Sequence, residues 1–374
     1  MNALFKIFKL ETPAPAIEEF AVDTNMAQRP LLLDDYIGQD FIREQVRLKV
    51  NLAKKTGTPM THTLLLGYSG AGKTTLAKII ANELGVDFHE CMAANIKTEL
   101  DLYHLMQRTV TEGMVLFIDE IHAMKKEIQE LFYTIMEDFC YYIRREGGGH
   151  ARIEYPRFTV IGATTHAGNL NQPFLERFGW KPSLLPYTVE ELSLMINKSA
   201  LKKYDVDLDK DLTESMAKIC QSTPRRAMHL LKNLHDYVDG TSNKTVLSSE
   251  DYNLECLEKT IKGLDLDPFL GLDRCSRQYL NVLNSEKGKA IGSKSLAGMI
   301  NQQEINVINM IEPFLSQPDI EIIDPTTGEI IDGALVKVTR QGRVATPSTV
   351  AYLKLCKQLQ IQHGWFPGER FDVE

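Results

Sequence analysis

Apolar positions follow two rhythms along this chain. Between residues 29 and 187, short apolar runs at Leu64–Leu66, Val86–Phe88, Val115–Ile118, Thr159–Gly162 and Leu184–Tyr187 alternate with stretches whose apolar spacing is helical. Brief runs bounded by amphipathic helices predict the strands of a parallel sheet, an α/β architecture. From Thr188-Val-Glu-Glu191, which reads as a helix-opening capping box, the spacing stays helical to about Lys262 and predicts a small all-α domain. A polar junction at Gly263–Pro268 leads to two or three short helices and strand-like runs at Ile320–Ile323, Glu329–Ile331 and Ala334–Val338. The pattern divides the chain into an N-terminal arm at 1–25, a large domain at 26–187, a helical domain at 188–262 and a C-terminal domain at 263–374. The arm carries a small apolar cluster, Leu4, Phe5, Ile7, Phe8 and Leu10, and reads as a flexible tail.

The first apolar run continues as Gly67-Tyr-Ser-Gly-Ala-Gly-Lys-Thr-Thr75. Gly67, Gly72, Lys73 and Thr74 satisfy the phosphate-loop pattern, with Gly70 inside it, and the strand–loop–helix context is the one the pattern needs. Glycines let bare N–H groups curl around a phosphate, and the helix opening at Lys73 adds the positive end of its dipole. Lys73 would reach the β- and γ-phosphates, and the Thr74 hydroxyl would hold Mg²⁺. A glycine turn with no ligand explains less of the pattern. The third run ends in two carboxylates, Asp119 and Glu120: an acid at a strand tip suits a metal, and its neighbour, aimed elsewhere, suits a lytic water. Ile161-Gly-Ala-Thr-Thr165 is a further strand ending in hydroxyls, and His122 reads as a structural histidine.

Composition narrows the picture without adding chemistry. The chain has 374 residues, 43% hydrophobic and 25% charged, with a net charge of −8. That balance suits a globular protein of two or three domains and gives no support for a coat of nucleic acid, though a local basic patch would still suffice for DNA contact. No apolar run approaches the ~20 residues of a membrane span. Lys6 and Lys9 interrupt the N-terminal apolar patch, against a secretory signal. Six cysteines without a C-x-x-C pair point to reduced thiols in the cytoplasm and against a zinc site.

Taken in order, Arg29-Pro30, Asp35-Tyr-Ile-Gly-Gln39, the phosphate loop, Phe117-Ile-Asp-Glu-Ile-His122, Met136-Glu-Asp-Phe139, Ile161-Gly-Ala-Thr-Thr165, Glu176-Arg-Phe-Gly179, Thr223-Pro-Arg225 and Gly342-Arg-Val-Ala-Thr346 resemble the RuvB family, hexameric AAA+ motors that drive branch migration of Holliday junctions. The likeness spans about Arg29 to Thr346. It implies an AAA+ P-loop core, a helical lid and a C-terminal winged helix, with ATP and Mg²⁺ as cofactors, a homo-hexameric ring, and double-stranded or junction DNA as partner. On the resemblance, Arg29, Tyr36 and Ile37 line the adenine pocket; Gly70, Gly72, Lys73, Thr74 and Thr75 hold phosphates; Thr74 and Asp119 hold the metal; and Glu137, Asp138, Phe139 and Tyr187 match positions near the nucleotide. Glu120 is the catalytic base. Thr165, or else Thr164, is the first sensor, Arg225 the second, and Arg177 the arginine finger acting on the neighbouring subunit. Arg343, with Lys337 and Arg340 close by, matches the DNA-contacting position.

Two departures mark the chain. The segment from Phe139 to Phe158 is short for the family's hairpin, and its middle, Ile143-Arg-Arg-Glu-Gly-Gly-Gly149, is charged where the family docks a RuvA-type partner through an apolar tip. Between Gln303 and Val336 stand seven acids and no Lys or Arg, with Glu304 at the entry to the presumed recognition helix and Glu312-Pro313 at its close. These features also admit a second reading, an AAA+ protein remodeller or loader that uses its terminal domain to dock a partner protein.

Overall fold

The computed structural model describes residues 30–144, 150–165, 168, 170–325 and 327–373. The arm, Arg29 and the hairpin tip with Arg145 lie outside them. The chain divides into two compact units, one of Met1–Leu66 with Lys73–Leu184 and the other of Gly67–Gly72 with Leu185–Glu374.

In the first unit the strands are β1 (Thr63–Leu66), β2 (Phe88–Met92), β3 (Val115–Asp119), β4 (Cys140–Arg144), β5 (His150–Glu154) and β6 (Thr159–Thr164). Four of them form a parallel sheet in the order β1-β6-β3-β2. Every residue of β6 is buried, as is β3 up to Ile118, because helices cover both faces. Register sets Leu66 opposite Thr164 and Ile118 opposite Gly162, so the carboxyl ends of three adjacent strands lie side by side, ~4.8 Å apart. That edge is where ligands bind in open parallel sheets.

Two predicted strands need correction. β2 starts at Phe88 rather than Val86, because the Val86 N–H is spent on the Ala81 carbonyl closing the preceding helix (3.2 Å). Leu184–Tyr187 is not a strand. Edge pairing comes earlier, through bridges of Trp180 and Ser183 to Thr63 and Leu66 and the Leu184 N–H to the Leu66 carbonyl, and stops before Pro186, which lacks the N–H that a ladder needs. β4 and β5 pair antiparallel as a separate hairpin.

In the second unit the expected capping box opens the helix Val189–Tyr204: the Glu191 N–H donates to Thr188 Oγ1, and the Thr188 N–H to Glu191 Oε2 (3.2 and 2.9 Å). Helices Lys210–Lys218, Pro224–Thr241 and Leu254–Gly263 follow. Helices Arg274–Ser285 and Ser293–Met299 lead to a helical stretch from Glu304 to Leu315. That stretch widens into π turns over Val307–Ile311, just before Pro313, whose ring and missing N–H disrupt regular α-helix. The strands β7 (Glu321–Ile323), β8 (Ile330–Asp332), β9 (Val336–Thr339) and β10 (Gly342–Ala345) form two hairpins, and a helix runs from Pro347 to His363. β10 lies beyond the predicted strand-like runs. It also bridges Ile291, and a Cβ on Gly342, at φ +140°, would overlap the Ile291 carbonyl.

One hydrophobic cluster runs from Tyr187 to Val373, so the border expected at residue 263 is no gap in the core. The polar junction expected there is organised by two buried charges. Asp267 accepts from the N–H groups of Phe269, Leu270 and Leu272 and from the Tyr352 hydroxyl; burial pushes its carboxyl up, against these four bonds. Arg277, fully buried, is held by Glu369 through two hydrogen bonds (2.6 and 3.1 Å), by Asp265 (2.7 Å) and by the face of Phe366. Through these interactions the C-terminal segment, with Trp365, Phe366, Phe371 and Val373 buried, is part of the core rather than a tail. Arg277→Ala strands the Glu369 charge in a dry site and is expected to cost ~3–5 kcal/mol, read as a lowered midpoint in denaturant unfolding.

Candidate active site

The first unit carries a buried cation and the paired acids. Lys73 opens the helix Lys73–Leu84 and is only 7% exposed, with Thr74 and Thr75 half-buried beside it. A lysine buried at the mouth of a helix suits an anion such as phosphate, which both the ammonium and the helix dipole attract. Asp119 ends β3. Burial raises its carboxyl above the usual range, while the Glu120 N–H at 2.9 Å and the Lys73 charge draw it back. Glu120 takes a left-handed turn (φ 47°), so the two acids diverge as expected. Its Oε2 is buried and accepts no hydrogen bond, although His122 Nδ1 stands 3.2 Å away. The same Nδ1 shares a hydrogen bond with Thr164 Oγ1 (2.9 Å), at the end of β6. His122, read from sequence as structural, thus stands beside Glu120 and the last sheet threonine; Thr165 follows in a bend, half-buried. The spacing D-E-x-H alone gave no sign of this bridge.

Tyr36 is buried and Ile37 half-buried, on a segment tied to the helix Lys73–Leu84 by Leu33 N–H to Glu83 (2.9 Å) and Asn82 to the Leu31 carbonyl (3.0 Å). Glu137 and Asp138 are exposed at the end of the helix Lys126–Asp138, and Phe139 caps it at φ 51°. Phe139 packs on His62 and Phe158. Glu137 is paired with Arg177 (2.7 Å), which follows the short helix Gln172–Glu176 and leans on the Tyr133 ring. Two residues expected at different places relative to the nucleotide therefore meet on one surface.

The second unit carries the loop and Arg225. Gly70 and Gly72 have φ +83° and +93°. A Cβ on Gly70 would press on Arg225 Cβ at 3.0 Å, so only glycine fits. Arg225 stands in the first turn of the helix Pro224–Thr241, capped by Thr223, and donates to Ser69 Oγ in the loop (3.0 Å). Tyr187 is buried, with its N–H on the Ser222 carbonyl (3.1 Å).

Lys337 and Arg340 are exposed on the β9–β10 hairpin. Arg343 is not: it makes a two-pronged ion pair with Glu312 (2.7 and 3.0 Å), and Tyr279 donates to the same carboxylate (3.1 Å). The pairing raises the guanidinium further and fastens the hairpin to the stretch Glu304–Leu315. Arg343→Ala would leave Glu312 buried and unpaired, at roughly 3 kcal/mol, the low end for a broken buried pair because Arg343 sits near the rim. Urea unfolding measures it.

Within the first unit, a buried lysine at a helix mouth with Thr74 and Asp119 as oxygen donors fits a phosphate group with Mg²⁺, and Glu120 Oε2 accepts no hydrogen bond. Among the described residues no group of three or more His, Cys, Asp or Glu could hold a metal alone.

The comparisons agree with this chemistry. The family model described as the Holliday junction DNA helicase RuvB P-loop domain matches residues 28–184, and that of the RuvB C-terminal winged helix domain matches residues 269–327. The Holliday junction branch migration complex subunit RuvB of Fervidobacterium nodosum is 37% identical over 348 residues, 92% of this chain and 91% of that one. Its counterpart from a Nitratiruptor species is 34% identical, covering 92% of this chain and 96% of the relative. The solved structure of the Thermotoga maritima RuvB Holliday junction branch migration motor superposes with a TM-score of 0.74 at 31% identity, covering 87% of this chain and 98% of that one. With the phosphate loop, the paired acids and the winged helix in the same order along nearly its whole length, the chain belongs to the RuvB family.

Proposed function

We propose that this chain is an ATP-driven motor that moves duplex DNA at Holliday junctions or related recombination intermediates, working in the cytoplasm as a hexameric ring. The observation that carries the reading is the likeness along more than nine-tenths of the chain to RuvB subunits; Lys73, Asp119, Glu120, Arg177 and Arg225 are present in the chain to do the chemistry. Lys73, Thr74 and Thr75, following Gly70 and Gly72, bind the phosphates; Mg²⁺, held by Thr74 and Asp119, would neutralise phosphate charge. Tyr36 and Ile37, with Arg29, line the adenine side. Glu120 orients and polarises the attacking water, with Thr165 or Thr164 sensing the γ-phosphate, and His122 links base and sensor strand. Arg177 completes a neighbour's site, and Glu137 holds it meanwhile. The relatives' name speaks of a complex, and a RuvA-type junction binder is the natural partner here, met through a charged hairpin rather than an apolar one. The protein-remodeller alternative falls behind, since both matched family models are RuvB domains.

Phosphate contact on DNA is assigned to Lys337 and Arg340, the exposed bases of the hairpin, with Arg343 serving the fold. Replacing both by Ala should weaken duplex binding across unrelated sequences and flatten the salt dependence of log K by about one unit for each phosphate no longer neutralised. Titration of a fluorescent duplex at several salt concentrations measures this, and an unchanged slope would remove the hairpin from the DNA interface.

A further inference from the structure

The phosphate-loop pattern leaves residues 68 to 71 unspecified, yet two of them make directed bonds to the turn that carries Arg225. The Tyr68 hydroxyl donates to the Ser222 carbonyl at 2.8 Å and lies 3.4 Å from the Leu185 carbonyl. Burial keeps that hydroxyl protonated, so it remains a donor across the working pH range. The accepting carbonyl belongs to an unusual turn: Gln221 and Ser222 are both left-handed, at φ 50° and 54°. Two successive non-glycine residues in that region persist only where neighbours hold them. The turn delivers Thr223, which caps the next helix, and so places Arg225 in its first turn. Arg225 then returns to the loop and donates to Ser69 Oγ at 3.0 Å. Consecutive loop residues thus hold the turn and the side chain it delivers: Tyr68 joins the Tyr187 N–H on the Ser222 carbonyl, and Ser69 accepts from the Arg225 guanidinium.

The bond to Ser69 differs in kind from the bond to Ser222. Both partners are exposed, and a neutral hydroxyl is a poor acceptor for a guanidinium beside the charged oxygens of a phosphate. A phosphate arriving on the loop would take Arg225 from Ser69, whereas nothing it brings replaces the Tyr68–Ser222 bond. Resting on the reading of this loop as the nucleotide site, we propose that Tyr68 and Ser69 are positioning residues for Arg225: Tyr68 fixes the turn so that the guanidinium reaches the terminal phosphate, and Ser69 parks it until that phosphate arrives. Together they set the preference for ATP over ADP.

The test is equilibrium binding of ADP and of a non-hydrolysable ATP analogue to the full chain. Tyr68→Phe keeps the ring and removes only the hydroxyl. It should weaken the analogue ~3–10-fold, the worth of one hydrogen bond, with ADP within about twofold of the parent. Ser69→Ala, at an exposed position, should shift the ratio the other way, ~2–5-fold in favour of the analogue. In an Arg225→Ala background both shifts should vanish, as a double-mutant cycle requires of residues acting through a third. Equal loss of ADP and analogue, no loss, or shifts that survive in the Arg225→Ala background would overturn the proposal and leave Tyr68 a packing residue. A parent protein that binds neither nucleotide would instead overturn the nucleotide site itself.

Discussion

Glu120→Gln is expected to yield a protein that binds ATP as the parent does and turns it over ~10²–10⁴ times more slowly, the usual worth of a general base. The substitution keeps the shape of the side chain and removes only the charge. Glu120 contributes nothing to the sheet, since it leaves β3 in a left-handed turn and its Oε2 accepts no hydrogen bond. Lys73→Ala should behave differently: the proposed site makes the buried ammonium a binding group, so nucleotide should be lost outright. Single-turnover hydrolysis beside equilibrium binding separates the two. Turnover by Glu120→Gln within a few-fold of the parent would move the base elsewhere.

Arg177→Ala should lower turnover by ~10³, as removal of an arginine finger does. Within one protomer Arg177 is paired with Glu137, and both side chains are partly exposed, at 33% and 49%. A pair so open to solvent is weakly held, so a neighbour's triphosphate can draw the guanidinium away. On the proposed reading the finger acts across subunits, so rings mixed from Arg177→Ala and Lys73→Ala protomers should regain activity at interfaces where an intact finger meets an intact site. Mixed rings without any recovery would assign Arg177 to its own subunit.

Much of the candidate site was legible in the chain because it is written in contiguous residues. The phosphate loop, the strand ending in Asp119 and Glu120, and the capping box at Thr188 each carry local chemistry that a short window contains. What escaped reading depends on partners distant in sequence. Arg343 looked like a free base, and only the fold brings it to Glu312, 31 residues earlier. Arg277 and Glu369 are 92 residues apart, so the end of the chain reads as a tail although it closes the core. Tyr68 and Ser69 sit in unconstrained motif positions, and nothing in their neighbourhood names Ser222 or Arg225 as partners. The strand expected at Leu184–Tyr187 failed on a local rule, the proline at 186 inside it, which the apolar run concealed.

The most direct measurement is displacement of a third strand annealed to duplex DNA, which reports movement along a duplex without requiring a junction or a second protein. With ATP and Mg²⁺ the parent should strip the third strand at a rate that follows its ATP turnover. Glu120→Gln should bind the same DNA and leave the triplex intact. A parent that binds duplex, hydrolyses ATP and yet never displaces the strand would contradict the motor.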